Sequence, residues 1–302
     1  MTMKATGIVL LLSALSRYYF PCCALAMDNA RRVLVAGAGG QTGQHLLQKL
    51  LAKPGYVPVG TVRTEASRQV LLEGDIAPES VAVCDITSDD TSGLDELMKD
   101  CDALLIATSA KPAPTGEVDE ETKRPKFDFP NGQPEIVDWI GQKNLIDAAK
   151  RAGKDVHVVV CGSMGGTNPN NPLNNIGKVT SADATSSGGD ILKWKRKAEV
   201  YLINSGLTYT IVHPGGLLNE PGNERELCVG VDDKVEGTSN NSVPREDVAN
   251  VMIAALDSDS YRGRSFDLVS KPAGEGVVTK DYLKLIAILE GKNCDYILGE
   301  TA

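Results

Sequence analysis

One short stretch limits what this chain can fold into more than any other. An apolar run at 32–36, RVLVA, stops at Gly37. After Ala38-Gly39-Gly40-Gln41-Thr42-Gly43 the chain continues with Leu46, Leu47, Leu50 and Leu51 at helical spacing. A strand, a glycine turn and a helix in that order form a cradle for phosphate. Gly37 permits the tight turn, Gly40 brings backbone up to a ligand with no Cβ between them, and Gly43 lets the helix pack closely. The free N–H groups of the first helical turn and the positive end of its dipole then face the anion. A P-loop would carry Lys and Ser or Thr after its last glycine. Here Gln44 follows Gly43, so the run reads as a dinucleotide fingerprint.

The same alternation continues downstream. Apolar runs at 57–62, 81–83, 103–107, 156–160 and 209–212 read as strands, and 93–99, 134–152 and 191–205 as helices. Continuous apolar strands between amphipathic helices predict an α/β fold, a doubly wound parallel sheet covered on both faces. In 302 residues this leaves one Rossmann domain over 27–302, with a small substrate-side lobe built from the carboxyl-terminal third. Two polar stretches interrupt the rhythm. Residues 111–132 read as a lid or a solvent loop, and the Ser-rich half of 167–190 reads as disordered. With 31 basic against 40 acidic residues the net charge is -9, which argues against nucleic acid as a partner.

The end of the second strand selects the cofactor. An acid there would hold the ribose hydroxyls of NAD, whereas this strand ends in Arg63, which suits the extra phosphate of NADP; NAD is the lesser alternative. Further along, Asp85 can accept from an adenine amino group, Ile86 can pack on the ring, and backbone at Thr108, Ser109 and Ala110 passes the ribose. All fall at carboxyl ends of strands, where open α/β sheets bind ligands. The histidines are scattered and no CxxC occurs, so the spacing signals no metal site.

Beyond about residue 31 the chain resembles the atypical short-chain dehydrogenase/reductases with an NmrA-like NAD(P)-binding Rossmann core, and small plant NADP-binding proteins of unassigned substrate. The segments that carry the resemblance are VLVAGAGGQTG (33–43), VDWIGQKNLIDAAK (137–150), GSMGGTNPNNPLN (162–174), ILKWKRKAEVYL (191–202), HPGGLL (213–218) and VPREDVA (243–249). It departs at 178–190, where this chain is longer. The resemblance implies that the cofactor also meets Ser163, Lys197 and the run Pro214, Gly215, Gly216 and Leu217, with Ser163 and Lys197 as the catalytic candidates. The usual mechanism adds a tyrosine four residues before the lysine as proton donor. Counting back from Lys197 gives Lys193, and from Lys195 it gives Ile191, so the acid is missing. The expected function is that of an NADP(H)-dependent oxidoreductase of unknown small-molecule substrate. The alternative is a non-catalytic NADP(H)-binding redox sensor or scaffold of NmrA type. An epimerase-like enzyme would also want the tyrosine. Asp138 and Trp139 can approach the substrate side, with core packing the plainer role for Trp139. A homodimer is compatible with all of these readings.

Residues 1–26 resemble a leader: Lys4, an apolar run at 7–15, and Ala24-Leu25-Ala26 in a small-x-small pattern. The apolar run is too short for a bilayer, which takes roughly 20 residues, so no stable membrane anchor is expected. The leader points to import into the endoplasmic reticulum, for secretion or onward to a plastid. The alternative is a cytoplasmic protein that starts at Met27.

Overall fold

Along β1 (Arg31–Ala36) alternate side chains enter two different cores, which is possible only in a sheet covered on both faces. A computed structural model describes residues 30–118, 120, 123, 125–180 and 186–299, with Arg31–Ala302 as one compact unit. The expected leader at 1–26 and the centre of the Ser-rich stretch, 181–185, lie outside the described residues.

The other strands of the main sheet are β2 (Tyr56–Val62), β3 (Val81–Val83), β4 (Ala103–Ile106), β5 (His157–Cys161), β6 (Tyr209–Pro214), β7 (Leu227–Gly230) and β8 (Arg264–Ser270). Their order is β7-β8-β6-β5-β4-β1-β2-β3, parallel throughout except for edge strand β7. The chain winds outward one way through β2 and β3 and the other way from β4, so the direction reverses between β1 and β4. Ligands of open α/β sheets sit at the carboxyl ends of the strands at such a point. Pro58 is tolerated in β2 because β3 pairs only with Gly60–Val62 and leaves that edge open.

Val33 and Val35 face a core covered by α1 (Gln41–Leu51), α2 (Glu65–Glu73), α6 (Arg245–Asp257) and α7 (Tyr282–Ala287). Leu34 and Ala36 face a second core under α3 (Ser92–Met98), α4 (Gln142–Arg151) and α5 (Ile191–Ile203). The doubly wound sheet expected from sequence is therefore present, with two strands the apolar runs did not reveal. In β8 the polar Ser265, Asp267 and Ser270 are all buried, which hides its strand character from any reading of hydrophobicity. The 111–132 loop is partly ordered as a hairpin, Ala113–Val118 against Pro125–Asp128. Among the described residues no helix is long and apolar enough to cross a membrane.

Buried His157 on β5 makes this core sensitive to acid. Thr210 donates its hydroxyl proton to the Tyr261 carbonyl at 2.7 Å, so toward His157 Nε2, at 2.9 Å, it can only accept; the ring is the neutral Nε2–H tautomer. Burial, helped by Arg262, lowers its pKa from 6.5 to about 4. The unfolded chain therefore takes up the proton first, and stability present above pH 6.5 is lost as the pH falls toward 4, by at most about 3 kcal/mol. Urea melts at pH 7 and pH 4.5 should show that decline, and it should be smaller by about 2–3 kcal/mol in His157→Gln. An undiminished decline in the variant would assign the effect to another group.

Candidate functional site

The turn after β1 is shaped by contact between backbone atoms. Gly37 has φ +85°, and a Cβ on Gly43 would stand 2.1 Å from the Gly37 carbonyl oxygen, so α1 can begin this close to the strand only with glycine there. Gly40 caps α1 with extended backbone and no side-chain cap, which leaves the first-turn N–H groups for a ligand.

A cleft of ≈ 430 Å³ opens over this turn. Of the residues expected at the cofactor, Gly37, Gly39, Gly40, Arg63, Asp85, Ile86, Thr108, Ser109 and Ala110 line it. Gln41, Thr42 and Gly43 sit directly behind, as the first turn of α1. Thr64, Ser67 and Thr87 add hydroxyl-bearing walls that sequence reasoning passed over, and Lys111, Asn131 and Val137 close one side. Arg63 donates from Nη1 to the Asn131 carbonyl and from Nη2 to Asn131 Oδ1 at 3.4 Å, tying the end of β2 to the loop after the hairpin. Asp85 Oδ1 accepts from the Thr87 N–H at 2.9 Å and its hydroxyl at 2.7 Å. Thr108 Oγ1 is buried in the wall with no hydrogen-bond partner among the described residues. A glycine cradle, an uncapped helix start, an arginine at the second strand and an unsatisfied hydroxyl together fit a nucleotide cofactor.

Ser163 and Pro214 to Leu217 lie at the ends of β5 and β6, outside the lining of this cleft. Ser163 lines a separate cavity of ≈ 10 Å³ together with Lys195, Glu199 and His213. Its hydroxyl donates to the Met164 carbonyl at 3.0 Å.

The structure does not bring Lys197 to the cleft. It lies exposed on α5, its ammonium 4.6 Å from the Trp139 ring centre and 5.0 Å from that of Trp194. Trp139 itself is half-buried, in an edge-on contact with Tyr201. Lys195, two residues earlier on α5, is buried and pairs with Asp138 at 2.8 Å. The physical reason is helical phase: Leu192, Lys195, Ala198, Glu199 and Leu202 form the buried face of α5, and Lys197 falls some 200° from Lys195. That periodicity was readable in the sequence. Lys193 is half-exposed and pairs with Asp190 at 3.1 Å.

Asp138 sits in a π-helical turn, Glu135–Gly141, ahead of α4, and the irregular winding turns its carboxylate fully inward. Its Oδ2 accepts from the Ala110 N–H at 2.9 Å, so the pair is anchored to the strand-end loop that also lines the cofactor cleft. Burial works against the Lys195 charge, and the neighbouring Asp138 outweighs it, holding the ammonium above its ordinary pKa. Arg245 and Glu246 of the VPREDVA segment serve the helix start: Arg245 donates to the Leu217 carbonyl at 3.1 Å, and Glu246 pairs with Lys49 at 2.7 Å.

This architecture defines a Rossmann-type dinucleotide-binding protein. Residues 37–259 match the NAD(P)H-binding family model, and the chain belongs to that family. It is 44% identical over 265 residues to an uncharacterized chloroplastic protein of Arabidopsis thaliana, covering 87% of this chain and 76% of the relative. It is 42% identical over 282 residues to sanguinarine reductase of Eschscholzia californica, covering 86% and 97%. Among solved structures, a Bacillus halodurans protein described as an NAD-dependent epimerase/dehydratase superposes with a TM-score of 0.59 at 25% identity, over 86% of this chain and 100% of that one.

The buried pair gives a direct test of which lysine matters. Lys195→Met leaves Asp138 buried without its partner and should cost about 3–5 kcal/mol in urea denaturation. Lys197→Ala removes only exposed cation–π contacts, each worth about 0.5–1 kcal/mol. Equal losses for the two variants would contradict the assignment of the buried role to Lys195.

Proposed function

We propose that the chain is an NADPH-dependent reductase of a small organic substrate, with Lys195, and not Lys197, as the lysine of the site. The observation that carries this is the buried Lys195–Asp138 pair, anchored through Ala110 to the wall of the cofactor cleft. The likeness to sanguinarine reductase over nearly its whole length supports a reductase. When bound, the nicotinamide supplies hydride. The residues of the chain bind and orient: the Gly37–Gly43 turn takes the pyrophosphate, Arg63 with Thr64 and Ser67 takes the 2′-phosphate, and Thr108 and Asp85 take ribose and adenine. Lys195 holds a fixed positive charge at Nζ, and Asp138 keeps it in place. Lys195 and Ser163 share the lining of the smaller cavity, which has room for a single oxygen of the substrate, and negative charge developing on that oxygen would meet the ammonium and the Ser163 hydroxyl. No tyrosine stands one turn before Lys195, where Ile191 is found, so a proton required by the product comes from Ser163 or water.

That same missing acid favours a second reading, a non-catalytic NADP(H)-binding sensor, in which Lys195 only holds the cofactor. The leader together with the chloroplastic relative supports a plastid destination.

Incubation with NADPH and a panel of quinones, aldehydes and enones should give substrate-dependent loss of cofactor absorbance, reduced at least tenfold in Ser163→Ala. Tight NADPH binding with no turnover on any of them would select the sensor. For the cofactor preference, Arg63→Asp should weaken NADP binding at least tenfold more than NAD binding in calorimetry. A loss of equal size for both would remove the phosphate role of Arg63.

A further inference from the structure

Three side chains remote from one another in sequence converge beneath the 163–167 turn. His213 is the last but one residue of β6, Asp267 lies in β8, and Cys294 belongs to the segment after α7; all three are buried. His213 Nδ1 stands 3.5 Å from Cys294 Sγ and 3.5 Å from Asp267 Oδ1, and Sγ to Oδ1 is 4.0 Å. Tetrahedral zinc, with bonds of about 2.0 Å to nitrogen and oxygen and about 2.3 Å to sulfur, spaces such ligand atoms roughly 3.3–3.5 Å apart. The triangle is thus close to one face of a zinc tetrahedron, and shifts of a few tenths of an ångström complete it.

The surroundings have the form of a metal site's outer shell. His213 Nε2 lies 3.1 Å from Glu199 Oε2. A carboxylate there fixes the tautomer and leaves Nδ1 for a cation. The Tyr296 hydroxyl also approaches Nε2, at 3.4 Å. Asp267 Oδ2 accepts from the Asp233 N–H at 2.7 Å, which directs Oδ1 into the triangle. Room for the group depends on Gly162, where a Cβ would stand 2.4 Å from Glu199 Oε1 and 2.7 Å from His213 Cδ2. The ≈ 10 Å³ cavity beside the triangle is about the size of one water molecule.

We propose that His213, Asp267 and Cys294 bind a zinc ion, with a fourth coordination position open to that cavity. The mixed nitrogen, oxygen and sulfur set suits a borderline-soft divalent cation and not magnesium or calcium, which take oxygen. On binding, the Cys294 thiol and the Nδ1–H of His213 each give a proton to solvent, and the metal takes the freed lone pairs of Sγ and Nδ1 with one from Oδ1; nothing is oxidised or reduced. One thiolate and one carboxylate balance the two charges of the cation. The ion ties the segment after α7 to β6 and β8 directly beneath the turn that carries Ser163, and its failure would leave the reductase reading untouched.

The test is titration of the full-length chain, reduced and stripped with a chelator, with Co²⁺ and then Zn²⁺. One cobalt per chain should bind, with a thiolate-to-metal charge-transfer band and visible bands of tetrahedral intensity, and zinc should displace it. Cys294→Ser should lose the charge-transfer band, and Glu199→Gln should keep the stoichiometry with affinity lowered roughly 10–100-fold. No stoichiometric uptake by the unaltered chain, or a band that survives Cys294→Ser, overturns the proposal. X-ray absorption on the zinc-loaded unaltered chain decides the matter without any variant. One sulfur among nitrogen and oxygen neighbours is required, and none or several refutes the site.

Discussion

The close approach of Gly43 to the Gly37 carbonyl sets the position of everything at the cleft. Because no side chain intervenes, α1 starts directly over the end of β1, at the place where the strand order reverses toward β4. The first-turn N–H groups, the end of β2 with Arg63, and the strand-end backbone at Thr108 to Ala110 then surround one cleft. On the proposed reading, an acidic chain gathers a phosphate-rich cofactor there through local dipoles and one guanidinium, with no global positive field.

On the other side of the same strand ends the protein buries charge. Lys195 and Asp138 lie where two isolated ions would be costly, and they persist because they pair and because Asp138 also takes the Ala110 N–H. The π-helical turn before α4 makes this possible by rotating Asp138 inward and leaving Trp139 half-buried against Tyr201. Glu199, one turn after Lys195 on the same buried face, continues the polar layer to His213. Burial lowers the tendency of that ring to hold a proton, yet Glu199 and Asp267 prevail and its pKa lies well above the ordinary histidine value.

Much of the candidate cleft was legible because its residues follow strand ends, and strand ends can be found from apolar runs and the turns after them. Gly37, Arg63, Asp85 and Thr108 all stand at such positions and all line the cleft. For the lysine, the family pattern and the helical period point to different residues. A family pattern of Lys before Ala-Glu pointed to Lys197, whereas the 3.6-residue period through Leu192, Ala198 and Leu202 puts Lys195 on the buried face. Strand β8 escaped notice because buried Ser265, Asp267 and Ser270 carry the polarity of a surface strand.

Local order alone therefore determined the alternating α/β winding, the glycine cradle and the absence of a tyrosine one turn before either lysine. These depend on spacing over a few residues, where backbone geometry links sequence directly to shape. Only the tertiary structure decided that Asp138 meets Lys195, that Asn131 reaches Arg63, and that His213, Asp267 and Cys294, the outer two 81 residues apart, share one buried point. Such meetings follow from strand order and from which helix covers which face, and no spacing along the chain encodes either.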